Sequence, residues 1–400
     1  MKQIMPTYTS LLQTPLDTIS WEDEDFIEEL LRVAQLFRPF SAAITEFIVE
    51  HGYVGDAEDV DARAAFIRDA FARAGMDPPR EIRSWFASGQ SIRRDTAFLI
   101  CFAFGLDGCG TDEFFRRYYA RERSFDCHQV QEAIYYFCLN NGMSWADALE
   151  LQARVPRAGA GGQGGAPVHT GSIIAELNRL ETKEELIDYL TRNIDLFSDC
   201  NVTAYEAIRR LWERAAGPEG LLIRETRDLP SILDDAVSGR KASVRSSADG
   251  VRPWDAYLAI LQLDKREVRR LETDRTIKPL IAKLHAGAQD SFPDRQGIDL
   301  ILHGKHVSYE RVRKWLVLLT FYTFWARRAL EAGSYAARPG DAARCISHMD
   351  QVLVESGYPE LYVGNPYDWI FLYAAKSDEP LTTFRYIWNE LLAEALEEHR

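Results

Sequence analysis

The chain has 400 residues, 46% of them hydrophobic and 12% aromatic, with a formal charge of −14 and six cysteines. That length exceeds what one hydrophobic core usually serves, so two or three domains are expected, and the supply of apolar residues excludes global disorder. The negative balance excludes a protein that coats nucleic acid indiscriminately.

The charge is unevenly spread. Residues 1–77 carry 6 basic and 15 acidic side chains, residues 78–125 carry 8 and 6, and residues 295–328 carry 7 and 2. Two locally basic stretches therefore lie in an acidic chain, which weakens non-specific binding and leaves more of any affinity to specific contacts. Cys101, Cys109, Cys127, Cys138, Cys200 and Cys345 have no CxxC spacing. Mostly flanked by apolar residues, they read as small core hydrophobes in a reducing, cytoplasmic setting rather than as disulfides or a zinc site.

In chain order, the first residues hold no apolar signal core. Residues 24–37 repeat apolar side chains at three- and four-residue intervals, which predicts a helix. Five further helices are expected at 40–51, 61–74, 79–88, 93–105 and 111–119. Asp77 suits the N-cap of the third, and Pro78 and Pro79 its first turn. Ile82, Trp85 and Phe86 recur at spacings of three and four and face the core. Arg80, Glu81, Arg83, Ser84 and Ser88 are left outward. Gly89 ends that helix through a left-handed cap, Gln90 and Ser91 form the turn, and Arg93 and Arg94 open the next helix, placed to touch a sugar-phosphate backbone.

Downstream, 156–167 is Gly-rich and unable to hold a helix, so it reads as a tether. A Thr-x-x-Glu box starts a helix at 182–189. A marginal strand is placed at 221–223 and a long loop or hinge at 224–253. The run 315–326 falls short of the ~20 apolar residues a membrane helix needs and reads as a buried core helix. A second short helix, Gly304-Lys305, and another apolar helix follow the layout of the first set. Ile298 and Ile301 point inward there, and Arg295, Gln296, Asp299, His303, Lys305 and His306 outward, with Arg311 and Lys314 behind them. The block from Ala133 to Ala146 aligns without gaps on that from Trp369 to Thr382, which suggests an internal repeat. Glu390 to Glu398 reads as an amphipathic C-terminal helix.

Ile82, Trp85 and Gly89 with the apolar helix after them, and again Ile298, Ile301, Gly304 and Lys305, resemble the repressor-type (XRE-like) helix-turn-helix family. The whole chain is similar to large, little-characterised bacterial helix-turn-helix proteins. The first copy departs from the family pattern by one extra residue between Trp85 and Gly89 and by a long acidic loop at 55–60, which puts its DNA-reading surface in question. The resemblance implies binding of double-stranded DNA. The residues it assigns are Arg80, Arg83, Ser84, Ser88, Gln90, Arg93 and Arg94 in one unit, and Arg295, Gln296, His303, Lys305, His306 and Arg311 in the other. Arg in this role pairs with guanine O6 and N7 or with phosphates.

No phosphate-loop, dinucleotide-turn, zinc-protease or nucleophile-elbow pattern occurs, so no cofactor or catalytic set is assigned. His303 and His306 lack a third metal donor in convincing spacing and are read as surface or phosphate-contacting groups. Arg123 and His128 fit an Arg-x4-His element of helical ribonucleases, a spacing common by chance. The tyrosine pairs 118–119 and 135–136 are read as core. The expectation is an all-α protein of two helical-bundle domains, each with a helix-turn-helix-like unit. The domains are 1–155 (helix-turn-helix about 40–119) and 171–400 (second unit about 280–388), joined by a linker at 156–170. The expected role is a non-enzymatic DNA-binding regulator of a bacterial mobile-element or phage-defence locus, with a protein partner on the C-terminal domain and no membrane contact. The alternatives are a protein-interaction scaffold of a defence or toxin complex and a helical ribonuclease.

Overall fold

A computed structural model describes residues 8–20, 23, 28–29, 32–33, 36–37, 39–87, 92–119, 124–155, 170–197, 201–229, 246–247, 250–263 and 295–397; at 8–12, 170–172, 196, 246–247, 295–296 and 390–397 it describes backbone alone. The fold is all-α. Its one described strand pair is Ser246–Ser247 antiparallel to Gly250–Val251. The chain clusters into two compact units, Arg38–Val202 and Met1–Phe37 with Thr203–Arg400. Most of the expected helix at 24–37 lies outside the described residues.

Helix α1 (Tyr8–Thr18) belongs to the second unit. The first unit comprises α2 (Phe40–Glu50), α3 (Val60–Arg73), α4 (Ile82–Ala87), α5 (Arg94–Ala103), α6 (Gly108–Glu113), α7 (Val130–Asn140), α8 (Trp145–Arg154), α9 (Thr170–Leu177) and α10 (Lys183–Arg192). Asp59 caps α3 by accepting from the amides of Asp61 and Ala62, and Asp107 caps α6 through Gly110. Two expectations are corrected. Asp77 caps nothing, because 80–81 form a turn and α4 begins only at Ile82. The helix expected at 111–119 is α6 running into a π-helical segment, Phe114–Tyr119, that buries Phe114, Phe115, Tyr118 and Tyr119. Phe47 of α2 meets Phe104, Phe114 and Tyr118 edge-on, at ring separations of 4.8, 4.9 and 5.2 Å.

Helices on both sides of the Gly-rich segment fall in this one unit, unlike the division expected at 156–170. Leu186 and Leu190 of α10 are fully buried in the same core as α7 and α8. Lys183, at the start of α10, pairs with Asp147 at 2.5 Å and Glu150 at 2.7 Å, both on α8. The box at Thr182 and Glu185 forms with both its hydrogen bonds, as the spacing predicts. Residues 156–169 are outside the described set.

Inside the first unit sits a buried ion pair. Arg94 Nε and Nη2 donate to Glu132 at 2.6 and 2.8 Å, and Nη2 also reaches the Ser124 carbonyl at 2.9 Å. The Asp126 amide donates to the same carboxylate at 2.6 Å. The guanidinium lies over the rings of Phe98 and Phe115.

The second unit adds α11 (Val202–Ala216), α12 (Leu221–Asp228), α13 (Pro253–Leu261), α14 (Arg295–Leu302), α15 (Tyr309–Ala332), α16 (Asp341–Glu355), α17 (Pro366–Lys376) and α18 (Pro380–Glu397). Residues 221–223 open a helix, not a strand: Leu221, Leu222 and Glu225 share a buried face at helical spacing. The apolar run at 315–326 is buried throughout, as expected of a core helix, and no described helix is long and apolar enough to cross a membrane. Tyr373 of α17 donates to the Ile19 carbonyl beyond α1 at 3.1 Å, and Lys376 meets Asp17 at 2.5 Å.

Two polar centres hold this unit. Glu225 accepts from Arg385 at 2.6 and 3.1 Å, from Tyr322 at 2.8 Å and from Tyr335 at 2.9 Å. Burial opposes its ionisation, but Arg385 and the two hydroxyls outweigh that and keep the carboxyl below its usual range. The other centre is Arg313, paired with both oxygens of Asp368 at 2.6 and 2.8 Å and donating to the Glu360 carbonyl at 3.3 Å. The Tyr362 amide donates to Asp368 at 3.0 Å. Arg313 and Asp368 are 3% and 0% exposed, so loss of either partner strands a charge at a cost of about 3–5 kcal/mol.

Candidate nucleic-acid interface

In the first unit, Ile82, Trp85 and Phe86 turn inward as their spacing predicts. The outward residues are less free than expected. Arg83 Nε is tied to Asp61 of α3 at 2.7 Å, a contact that lowers the Asp61 pKa through its hydrogen bond and charge. Ser84 is half-buried, its hydroxyl donating to the Glu81 carbonyl at 2.7 Å. The expectation for Arg94 is corrected: it is consumed by the buried pair with Glu132 and reaches no phosphate position. Arg80 and Arg93 are exposed, while Ser88, Gly89 and Gln90 lie outside the described residues. Asp56, Glu58 and Asp59, in the loop that leads into α3, are exposed as well.

The second unit differs. Ile298 and Ile301 of α14 are fully buried, which fixes the helix face. Gly304 then takes a φ of +66°, where a side chain is strained, and the Gly304 and Lys305 amides close back onto Ile301 and Leu300 at 3.0 and 2.8 Å. Tyr205 of α11, itself buried, donates to the Lys305 carbonyl and accepts from the Val307 amide, both at 3.0 Å. Arg209, one helical turn further along α11, donates to the Ile301 carbonyl at 3.4 Å. The turn is therefore pinned from below by a tyrosine and flanked by an arginine.

His303 Nδ1 lies 2.6 Å from the Asp299 carbonyl, an acceptor only, so Nδ1 carries the proton and Nε2 is left for solvent. His303, Lys305 and His306 are exposed, as is Arg209. None of the four forms an ion pair with a described carboxylate. Arg311 sits half-buried in α15, and Lys314 is buried with its ammonium over the Tyr367 ring at 5.2 Å, so neither extends this rim. Arg295 and Gln296 open α14, with side chains outside the described set. Tyr205 and Arg209 carry no local sequence signal for this role, because they reach the turn across about a hundred residues.

Arg123 of the ribonuclease-like pair is outside the described residues, and His128 sits in a half-buried turn. Among the described residues no cluster of three His, Cys, Asp or Glu side chains suits a metal ion. Comparison with protein-family models, curated proteins and solved structures finds no match to this chain.

Proposed function

We propose that the chain is a DNA-binding regulatory protein that contacts the phosphate backbone through the turn between α14 and α15. The observation that carries this reading is the grouping of Arg209, His303, Lys305 and His306 around one pinned turn, none of them in an ion pair with a described carboxylate, in a chain of net charge −14. Arg209 and Lys305, with the exposed imidazoles of His303 and His306 beside them, suit phosphate contact because no ion pair with a described carboxylate must be given up and a fixed backbone loses little ordering entropy. The eight residues of α14 rise about 12 Å, comparable with the width of the major groove, whereas the six of α4 rise about 9 Å. The first unit, with Arg83 engaged and Arg94 buried, then acts as scaffold. Regulation of a mobile-element or phage-defence locus is the role this binding best suits.

Titration of a labelled duplex against the whole protein at a series of salt concentrations tests this. Two to four phosphate contacts give a slope of log affinity against log salt of roughly −2 to −4. Binding with a slope near zero, or none at 50 mM salt, contradicts the proposal.

A further inference from the structure

Two of the buried Arg–carboxylate pairs, Arg94–Glu132 and Arg313–Asp368, share more than chemistry. In the first, the arginine also bonds the carbonyl of Ser124, eight residues before Glu132, and the carboxylate accepts the amide of Asp126, six residues before it. In the second, the arginine bonds the carbonyl of Glu360, again eight before Asp368, and the carboxylate accepts the amide of Tyr362, again six before. Each acid is the third residue of an eleven-residue helix, α7 or α17. The aromatic eight residues past each arginine meets, edge-on, the aromatic three past each acid: Phe102 on Tyr135 at 5.7 Å and 77°, Phe321 on Phe371 at 5.2 Å and 78°.

The surrounding helices correspond as well. Six residues join α4 to α5, and six join α14 to α15. The second helix of each set packs on the third and the fifth, and the fourth packs on the third and the fifth. One difference is a slip of a single turn. Arg94 is the first residue of α5 and Arg313 the fifth of α15, a shift that leaves the arginine on the same helix face. Hydrophobic packing alone explains two similar bundles. It does not require the same two backbone partners at the same offsets, and the ungapped alignment of 133–146 on 369–382 keeps that register.

We infer that the two units carry two copies of one five-helix module, α4–α8 and α14–α18, each locked by the same clamp, and that phosphate contact is kept in the second copy only. The last clause rests on the proposed function; the first does not. The clamp ties the backbone ahead of the fourth helix to the start of the second. In the second copy that start follows directly on the cationic turn.

Single-amide hydrogen exchange on the full chain tests the module. Asp126 and Tyr362 both lie in irregular backbone and both donate to a buried carboxylate, so each exchanges at least about tenfold more slowly than solvent-facing loop amides. Arg94→Met speeds Asp126 and leaves Tyr362 unchanged, and Arg313→Met does the converse. Should either variant fail to fold, the reciprocal exchanges Glu132→Asp and Asp368→Glu give each copy the other's acid, and both amides stay protected. An unprotected Asp126 or Tyr362, or reciprocal exchanges tolerated in one copy and not in the other, overturns the shared module. Duplex binding separates the second clause: Lys305→Ala weakens it and Arg93→Ala does not. Loss of binding with Arg93→Ala, or no effect of Lys305→Ala, removes that clause and leaves the amide result standing.

Discussion

The turns after α4 and after α14 grow from one sequence pattern, a short helix with an inward apolar face, a glycine, and a long apolar helix. They differ in how the arginines beside them are held. In the first unit Arg83 is answered by Asp61 and Arg94 is drawn into the core by Glu132. In the second, the arginine that serves the clamp is Arg313, set a turn deeper in its helix, and the cations ahead of it stay at the surface. The contrast teaches that a basic stretch counted along a sequence says little until the acids that face it across the fold are known.

The comparison breaks most sharply at the clamps. Arg313→Met leaves Asp368 buried without its counter-charge and should lower unfolding free energy by about 3–5 kcal/mol in denaturant titration. Arg94→Met should cost less, about 2–4 kcal/mol, because the Arg94 side chain is 11% exposed and water can reach the orphaned acid. Equal stability of wild type and Arg313→Met would remove the clamp from the account. Next in size is Tyr205→Phe, which leaves the buried Val307 amide without an acceptor and should cost about 1–3 kcal/mol by the same titration. Gly304→Ala forces a side chain into the left-handed region for about 1–2 kcal/mol. The nearest neighbour of such a Cβ, Arg209 Nη2 at 3.2 Å, is the end of a flexible side chain and adds little.

The smallest effect belongs to the first unit. Asp147 is held at about 2 by hydrogen bonds from Lys183 and Ser144. Its folded pKa is depressed, so its contribution is full above about pH 4, the unfolded value, and is lost as pH falls toward 2. Solvent screening at this partly exposed site limits the loss to about 1 kcal/mol, and Asp147→Asn should flatten that part of the stability–pH curve.

Much of the helical frame was legible. Inward residues at 82, 85, 86, 298 and 301, the Thr182 box and the buried run at 315–326 all follow from periodicity and capping, which are local. The short strand expected at 221–223 failed because three apolar residues carry no usable period, and a helix face claimed them. Arg94 was misread because a cation at a helix start looks functional in isolation, and its partner Glu132 lies 38 residues away. The pinning of the Gly304 turn by Tyr205 and Arg209 was invisible for the same reason, at greater range. Local signals placed the Gly304 turn; non-local pairs decided that Arg83 and Arg94 are engaged.

The most direct measurement sets Arg83→Ala beside Lys305→Ala in duplex binding by the 400-residue chain at low salt. The account predicts about a tenfold weaker affinity and a salt slope shallower by about one for Lys305→Ala, with Arg83→Ala unchanged. Weaker binding by Arg83→Ala with Lys305→Ala unaffected, or no binding by either or by the unmodified chain, would contradict it.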